Sequence, residues 1–406
     1  MLHVVLVAPY FGSSMMHCLR CFAALEGVRL GVISHEPEQA VPADLKGRIA
    51  GHYQVPNALD AGQLEVATRA FRSEWGRVDR LVGYLEQLQV PLGDVRDAVG
   101  IDGLGGQAAR AFRDKNRMKR VLAEAGLPVA RQALVTSGYA ARSFVEQVGF
   151  PIVMKPLDGA GARNTVRVSN DEELSAALNL LLPTPSRPVQ AEEFVRGDEH
   201  TFETVTIDGR PVWSSSSFYL PGPLEVLENP WMQYCVLVPH DPNLPHVQAF
   251  RPTNAAALGA LGMRNGLSHM EWFLRADGTP VISEVGARPP GANIMLMNGA
   301  AYGVDMWARW ARLMVHRTWA PMERTHASGC AFIRAMGHGR QVRAVQGLEA
   351  VQEKIGSLVV SSRLPRPGQV RSAHYEGDGW VLVRHPETAR VVDALRVLVQ
   401  ELRVVC

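Results

Sequence analysis

A lysine at the end of an apolar strand, followed by a glycine-rich loop, is the first pattern here that could carry chemistry. The segment FPIVMKPLDGAGARNTVRV covers residues 150–168 and contains Lys155. Lysine is an uncommon cation in this chain, with five lysines among 42 Lys and Arg residues. An ammonium group is a compact charge that suits a phosphate oxygen, and glycines let backbone N–H groups approach an anion. The segment predicts a phosphate clamp, although a solvated strand end before a hairpin turn has the same pattern.

Two glutamates in a later hairpin are candidates for a metal site. If Asp277 and Gly278 form a two-residue turn, Glu271 lies directly opposite Glu284 on one face of the hairpin. Like charges in such positions destabilise a hairpin unless a cation or a proton compensates them. Two carboxylates, one per strand, suit Mg²⁺, which fills its other positions with water and phosphate oxygens. The alternative is a rim pair that repels weakly in water, and another turn register would remove the pairing.

Further polar residues lie near these motifs. Arg288 follows in SEVGARPPGAN, where the Pro-Pro-Gly sequence predicts a rigid loop. An arginine there can stabilise charge on a transferred phosphoryl group, whereas a surface salt bridge is the simpler interpretation. His269 and Asn293 are candidate substrate contacts, although a histidine beside an apolar strand is more often structural.

Composition and missing motifs exclude several classes of protein. A net charge of +2 without a basic block argues against a nucleic-acid binder, and no uncharged apolar run reaches the length of a membrane span. No G-x-G-x-x-G follows the first strand and no Gly-Lys pair occurs, which argues against a dinucleotide fingerprint and excludes a P-loop. The protein-kinase motifs H-R-D and D-F-G are also absent.

The cysteines and the N-terminus favour the cytoplasm. Five cysteines are too few, and odd in number, for a disulfide framework, which indicates a reducing compartment. The sequence MLHVVLVAPYFGSS lacks a basic region, so we expect no signal peptide. Cys18 and Cys21 form a C-x2-C pair without a second pair at zinc spacing, and their apolar helical context favours core packing over a metal or redox site.

Hydrophobic periodicity divides the chain into four successive parts. The chain begins with a β-α-β pattern, formed by the strand HVVLVAPY, a helix and the strand RLGVISHE. This pattern predicts a small open α/β domain. From a helix at 113–126, capped by Asp114, an α-β-α-β-β-α-β pattern predicts a compact module. Two hairpins on Asp-Gly turns follow, and the Pro-rich segment from Leu220 to His246 is expected to be irregular and to line a substrate pocket. The last part reads as β-rich with a final helix.

The order of these motifs over roughly residues 110–315 resembles the ATP-grasp superfamily. The resemblance implies an α/β and α+β protein: an ATP-grasp fold with an N-terminal Rossmann-like (pre-ATP-grasp) domain and a small β-rich C-terminal domain. It implies an α/β domain at 1–108, an ATP-grasp N-lobe or lid at 109–192, a C-lobe with the metal site at 193–320, and a C-terminal domain at 321–406. The tail resembles that of the L-amino acid ligase and biotin carboxylase-like branch.

The resemblance also implies roles for individual residues. In the family's pattern the phosphates are held by two lysines and a glycine loop, here Lys115, Lys155, Gly159 and Gly161. The hinge strand beside adenine and the ribose acceptor correspond to Glu192, Glu193, Phe194, Val195 and Glu199. The metal carboxylates correspond to Glu271 and Glu284, and the catalytic arginine to Arg288. The motif E-V-G-A-R departs from the commoner E-x-N-x-R, so Gly286 stands where an asparagine would assist the metal, which leaves a second metal ion in doubt.

The implied activity is that of an ATP-dependent carboxylate–amine ligase. The substrate carboxylate would become an acyl phosphate, an amine would then attack it, and ADP and phosphate would leave. The implied cofactors are ATP and Mg²⁺ (or Mn²⁺), and the partners are small-molecule carboxylate and amine substrates, with a homodimer among the assemblies that the family uses. A phosphotransferase, a bicarbonate-using carboxylase and a nucleotide-binding protein without catalysis remain as alternatives.

Overall fold

The structure is a computed structural model that describes residues 1–157, 165–229 and 232–406. Gly159 and Gly161, which were predicted to contact phosphate, lie outside the described residues.

The N-terminal part is an open parallel sheet flanked by helices, as predicted. Its strands β1 to β4 are Leu2–Val7, Val28–Ser34, Gly51–Gln54 and Arg80–Val82, in the order β3-β2-β1-β4. Helices α1 to α5 are Ser13–Ala23, Ala43–Lys46, Ala61–Trp75, Gln89–Val99 and Gly106–Arg113. The central strand is a continuous apolar run because helices cover both faces of the sheet, and residues from Val4 to Ala8 are fully buried.

A small antiparallel sheet forms the second part. Its strands β5 to β8 are Gln132–Val135, Ile152–Pro156, Val166–Val168 and Val189–Glu193, in the order β5-β8-β6-β7. Helices α6 to α8 are Lys115–Glu124, Gly138–Val148 and Asp171–Leu181. Asp114 caps α6 by accepting a hydrogen bond from the Arg117 N–H at 2.9 Å, and Asn170 caps α8 in the same way through Glu173.

An eight-stranded antiparallel sheet spans the rest of the chain. Strands β9 to β13 are Asp198–Ile207, Arg210–Leu220, Tyr234–Val238, Gly266–Leu274 and Pro280–Gly286. Strands β14 to β18 are Ala327–Ile333, Ala344–Gln346, Val359–Arg363, Gly379–His385 and Arg403–Val405. The large sheet has the order β13-β12-β9-β10-β11-β14-β17-β16, while β15 pairs with β18 alone. Helices α9 to α14 are Pro223–Glu228, Pro245–Ala260, Ile294–Tyr302, Met306–His316, Leu348–Ile355 and Thr388–Glu401.

The prediction that the Pro-rich segment is irregular was wrong. It contains α9 and then β11, whose five residues are all buried between β10 and β14. The prolines do not prevent this, because Pro223 occupies the first turn of α9, where its missing N–H has no helical partner. The apolar run YCVLV, which forms β11, is the part of the segment that indicates a buried strand.

The predicted boundary at 320/321 falls between α12 and β14. The eight-stranded sheet contains strands from both sides of that point, so the two parts share one sheet. Within the described ranges, no helix has the length and apolar character needed to cross a lipid bilayer.

Candidate active site

One cleft, lined by residues of the four-stranded and eight-stranded sheets, contains most of the predicted site residues. The side chains that line it and were predicted from sequence are Lys115, Lys155, Glu192, Glu193, Phe194, Val195, Glu199, His269, Glu271, Glu284 and Arg288. Pro223 and Leu224 of the Pro-rich segment and Tyr375 from the C-terminal part also line it. Residues that are far apart in sequence therefore meet around a single space.

The two glutamates predicted to face each other do so, but the predicted turn was wrong. Glu271 on β12 pairs directly with Glu284 on β13. The Arg275 N–H donates to the Thr279 carbonyl at 3.0 Å, and the Gly278 N–H donates to the Arg275 carbonyl at 2.9 Å. The loop therefore has three residues and ends on Gly278 in the left-handed region, with φ of 82°.

A β-bulge restores the pairing that the longer loop would have removed. Next to the loop, Trp272 pairs with Ile282, a register one residue away from the predicted one. Ser283 is then an extra residue on β13, and beyond it Glu271 and Glu284 are again opposite. The extra residue in the loop and the extra residue in the strand compensate each other.

Glu271 is held in its ionised form by two neighbours. The Tyr219 hydroxyl donates to Glu271 Oε1 at 3.1 Å, and Nε2 of His269 lies 3.6 Å from the same oxygen. Burial alone would raise the pKa of Glu271, but the hydrogen bonds from His269 and Tyr219 outweigh it and bring the pKa to about 2. Burial likewise opposes charge on His269, whereas Glu203, 2.8 Å from Nδ1, and Glu271 raise its pKa to about 9.

Glu284 has a different partner, which comes from the other side of the cleft. Nζ of Lys115 lies 2.7 Å from Glu284 Oε1. Lys115 is the first residue of α6, so the Asp114 cap that begins this helix also positions its side chain. The Lys115 side chain is 7 % exposed, and an ammonium so placed is shielded from water.

A third buried lysine was missed by the sequence analysis. Lys119 and Lys155 both form ion pairs with Glu192, at 2.5 and 2.9 Å. Burial lowers the pKa of Lys119 to about 8. It would lower that of Lys155 too, but the charges of Glu192 and Glu284 outweigh it and raise the pKa. The signal was available, because Lys119 is four residues after Lys115 and lies on the same face of α6.

The carboxylate of Glu192 is the centre of this lysine pair. Burial opposes its charge, but the ammonium groups of Lys119 and Lys155 more than offset burial and lower its pKa to about 2. The side chain of a predicted adenine-contacting residue thus orders two cations in the cleft. Its strand, β8, pairs with β5 and β6 on either side.

Arg288 is fixed by a carboxylate from the N-terminal part. Its Nε forms an ion pair with Glu86 Oε2, and Arg113 lies 3.7 Å from the other oxygen of Glu86. Burial would lower the pKa of Arg288, whereas Glu86 and then Glu284 raise it. Glu86 was also missed from sequence. It follows β4 at the carboxyl end of a parallel sheet, where α/β domains place functional groups.

The hinge after β8 uses two of its backbone donors internally. The Glu193 N–H donates to the Arg131 carbonyl at 2.9 Å, and the Phe194 N–H donates to the Pro151 carbonyl at 3.2 Å. Among the described residues, none accepts a hydrogen bond from the Val195 N–H. Burial, and then the charge of Glu271, raises the pKa of Glu199 well above its usual value.

Asn293 is placed apart from the other predicted residues. It is not among the described side chains that line the cleft, although its neighbours Gly291 and Ala292 are. Its amide donates a hydrogen bond to Cys330 Sγ at 3.5 Å. Asn293 directly precedes helix α11 and has a φ of 55°.

Comparison with known proteins gives relatives of one kind. No protein-family model matches the chain. It is 25% identical over 253 residues to the carbamoyl phosphate synthase large chain of Streptomyces coelicolor, with 60% of this chain and 22% of the relative aligned. It is 26% identical over 248 residues to an L-arginine-specific L-amino acid ligase of Bacillus subtilis, with 60% of this chain and 59% of the ligase aligned. The aligned regions thus span less than two thirds of these relatives.

Solved structures with the same fold cover the whole chain. The L-amino acid ligase of Bacillus licheniformis superimposes with a TM-score of 0.78 at 20% identity, over 100% of this chain and 98% of the ligase. Phosphoribosylglycinamide synthetase of Anaerococcus prevotii has a TM-score of 0.71 at 14% identity, over 99% of each chain. The chain therefore has the ATP-grasp fold, and its relatives in sequence and in structure are ATP-grasp enzymes.

Proposed function

We propose that this protein is an ATP-dependent carboxylate–amine ligase with an amino acid as one of its substrates. One observation carries the proposal: a single cleft holds the ammonium groups of Lys115 and Lys155, the guanidinium of Arg288, and the facing carboxylates of Glu271 and Glu284. Cations on one wall and a carboxylate pair on another suit a metal–polyphosphate substrate.

The carboxylate pair fits a hard divalent cation. Glu271 and Glu284 offer oxygen ligands from two paired strands, and the low pKa of Glu271 keeps its carboxylate charged at neutral pH. Mg²⁺ or Mn²⁺ accepts such ligands and takes its remaining ones from water and phosphate. Because Gly286 has no side chain, Glu271 and Glu284 would be the protein's ligands to the metal.

The buried cations of the cleft suit a reaction in which a carboxylate meets the triphosphate of ATP. When bound, ATP supplies the phosphoryl group that activates the substrate carboxylate as an acyl phosphate. Lys155 and Lys115 would hold phosphate oxygens, and Arg288, fixed by Glu86, would stabilise charge on the group in transfer. Since a carboxylate and a triphosphate repel each other, such buried cations lower the cost of bringing them together.

The Val195 N–H, which has no acceptor among the described residues, provides a donor for the nucleotide base. Val195 lines the cleft two residues after the end of β8, next to Phe194. Because the Glu193 and Phe194 N–H groups donate to other backbone carbonyls, we assign the Val195 N–H as the hinge donor to the adenine edge. Glu199, whose raised pKa favours a protonated carboxyl, would interact with the ribose hydroxyls.

An amino acid as the substrate is supported by the relatives. They include the L-arginine-specific ligase, a D-alanine–D-alanine ligase of Aromatoleum aromaticum at 27% identity, and alanine–anticapsin ligase of Bacillus subtilis at 24% identity. Their names describe the joining of an amino acid to an amine or a second amino acid. We assign the same class of reaction to this chain.

The test is a matrix of amino acids and amines assayed for ADP and phosphate release, with mass spectrometry of the products. A ligase gives an amide whose amount equals the ADP formed. If a phosphorylated substrate accumulates without an amide, the protein is a phosphotransferase and the proposal is wrong. If no combination stimulates ADP formation above the rate without substrate, the ligase assignment fails as well.

A bicarbonate-using reaction is the second candidate. It is favoured by the match to carbamoyl phosphate synthase and by a structural neighbour, the biotin carboxylase domain of the Hydrogenobacter thermophilus 2-oxoglutarate carboxylase, solved with bicarbonate. Adding bicarbonate to the same assay without an amino acid separates the two. Stimulation of ADP release by bicarbonate alone would favour this candidate over the amino-acid ligase.

A further inference from the structure

We propose that His17, Cys21 and Asp305 form a Zn²⁺ site outside the cleft, between helices α1 and α12. One potential ligand atom from each of the three lies within 4.8 Å of the other two, and no other group of three or more such side chains is found in the described ranges. None of the three lines the ATP-grasp cleft. The site is independent of the proposed ligase activity.

The three ligand atoms already approximate one face of a tetrahedron. Nε2 of His17 lies 2.9 Å from Oδ2 of Asp305, and Cys21 Sγ lies 3.8 Å from each of these atoms. With zinc bonds of about 2.0 Å to N and O and 2.3 Å to S, a tetrahedral site separates these ligands by roughly 3.3–3.6 Å. Shifts of a few tenths of an ångström, within reach of side-chain rotation, would give that geometry.

Local structure positions the ligands. His17 and Cys21 are four residues apart on α1, so both side chains project from one face of the helix. Asp305 caps α12: its Oδ1 accepts hydrogen bonds from the N–H groups of Trp307 at 2.8 Å and Ala308 at 3.2 Å. These bonds occupy one carboxylate oxygen and direct the other, Oδ2, at His17 and Cys21, in the way that hydrogen bonds to a ligating carboxylate fix its orientation toward a metal.

The ligand set determines the class of metal. A thiolate with an imidazole favours zinc over Mg²⁺ or Ca²⁺, which take oxygen ligands. Thiolate and carboxylate together carry two negative charges, which balance Zn²⁺. On binding, the Cys21 thiol forms the Zn–S bond and releases its proton to solvent.

The exposure of the three residues predicts an open fourth position. The His17 and Asp305 side chains are 48% and 43% exposed, whereas Cys21 is buried, so solvent reaches two of the three ligands. Zinc with three protein ligands and one water is a common arrangement. The metal would join two helices whose residues are 284 positions apart, next to the packed rings of Phe22 and Trp310. It would therefore fasten the N-terminal part to the part that carries the carboxylate pair.

The test uses full-length protein without a histidine tag, treated with EDTA, kept reduced with a phosphine, and titrated with Co²⁺. Binding through Cys21 gives a near-ultraviolet thiolate-to-cobalt charge-transfer band that one equivalent of Zn²⁺ abolishes. Cys21→Ser should lose the band. His17→Gln, at a half-exposed position that folding tolerates, should weaken Zn²⁺ binding, measured by competition with Co²⁺, by about 100-fold or more. Loss of a residue that only hydrogen-bonds to a metal ligand already costs about 10–100-fold in affinity.

Two matched controls make the result specific. Cys18→Ala, three residues earlier on α1, should retain the band, because Cys18 is not among the three ligands. Glu284→Gln should also retain it, which separates this site from the carboxylate pair in the cleft. No band in the wild-type protein, or a band that persists in Cys21→Ser, would overturn the proposal and leave only the polar contact between His17 and Asp305. A His17→Gln affinity equal to wild type would overturn the ligand assignment.

Discussion

Glu271 and Glu284 lie directly opposite each other, yet each is neutralised by a different group. His269 and Tyr219 contact Glu271 from within the same sheet, whereas Lys115 reaches Glu284 from helix α6. Two facing carboxylates would otherwise destabilise the hairpin. Because the compensating groups come from two walls of the cleft, the pair is retained, and the bulge beside it directs both glutamates into the same space.

Glu284→Gln should strongly reduce metal-dependent ADP formation. The amide keeps the shape of the carboxylate but removes its charge, which weakens metal binding and the pairing with Lys115. We expect kcat/KM to fall about 10²–10³-fold or more, as for loss of a charged contact in a closed site. Coupled measurement of ADP release across a Mg²⁺ titration checks this, with the exposed Glu353→Gln as control. Turnover like that of the wild type would remove Glu284 from the metal site.

Lys155→Ala should weaken the binding of ATP. The change removes an ammonium from the cleft and leaves Glu192 with Lys119 as its remaining lysine partner. Calorimetric titration with a non-hydrolysable ATP analogue should show a dissociation constant raised at least about tenfold, which corresponds to 1.4 kcal/mol. Lys46→Ala, which removes an exposed lysine of the N-terminal part, should bind normally. Equal affinity in both variants would contradict the phosphate clamp.

Glu192 should make stability depend on acid pH. Its pKa is about 2 in the folded protein and near the ordinary glutamate value of 4.5 when unfolded, so as the pH falls the unfolded chain takes up this proton first. The stabilisation is therefore present above about pH 4.5 and is lost as the pH falls toward 2; a shift of this size corresponds to ~3 kcal/mol.

Glu192→Gln isolates that contribution. Near neutral pH the variant should lose about 3–5 kcal/mol of unfolding free energy, because two buried ammonium groups lose their counter-ion. The difference from wild type should shrink below about pH 4.5, as urea unfolding at a series of pH values would show. Glu172→Gln, an exposed change on α8, is the control. A difference that stays constant with pH would contradict the assigned pKa.

Glu86→Gln should slow turnover without removing a group from the metal site. Glu86 holds Arg288 across the boundary between the N-terminal part and the large sheet. Loss of that ion pair frees the guanidinium, and a small misplacement of a catalytic group can cost up to about 10²-fold in rate. Steady-state kinetics should show a lower kcat with a smaller change in KM for ATP. Glu38→Gln, an exposed change in the same part of the chain, should leave both constants unchanged.

The local elements could be read from sequence because their signals are local. The Asp114 and Asn170 caps begin helices where the sequence predicts them, and the Asp208-Gly209 turn joins β9 and β10 as a two-residue hairpin. Caps and turns depend on the backbone preferences of a few neighbouring residues. The Pro-rich segment was wrongly predicted to be irregular. Its strand β11 is stabilised by burial between β10 and β14, which the composition of the segment does not reveal.

The sequence by itself determined the ATP-grasp fold and most of the charged residues in the cleft, but not Lys119 or Glu86. Only the tertiary structure decided their partners: Lys119 with Glu192, Glu86 with Arg288, and Asp305 with His17. It also decided the pairing of Glu271 with Glu284, since a three-residue loop and a bulge produce by compensation the register that a two-residue turn would have given. Such contacts join residues up to hundreds of positions apart, and their formation depends on how sheets and helices pack, which no short stretch of sequence encodes.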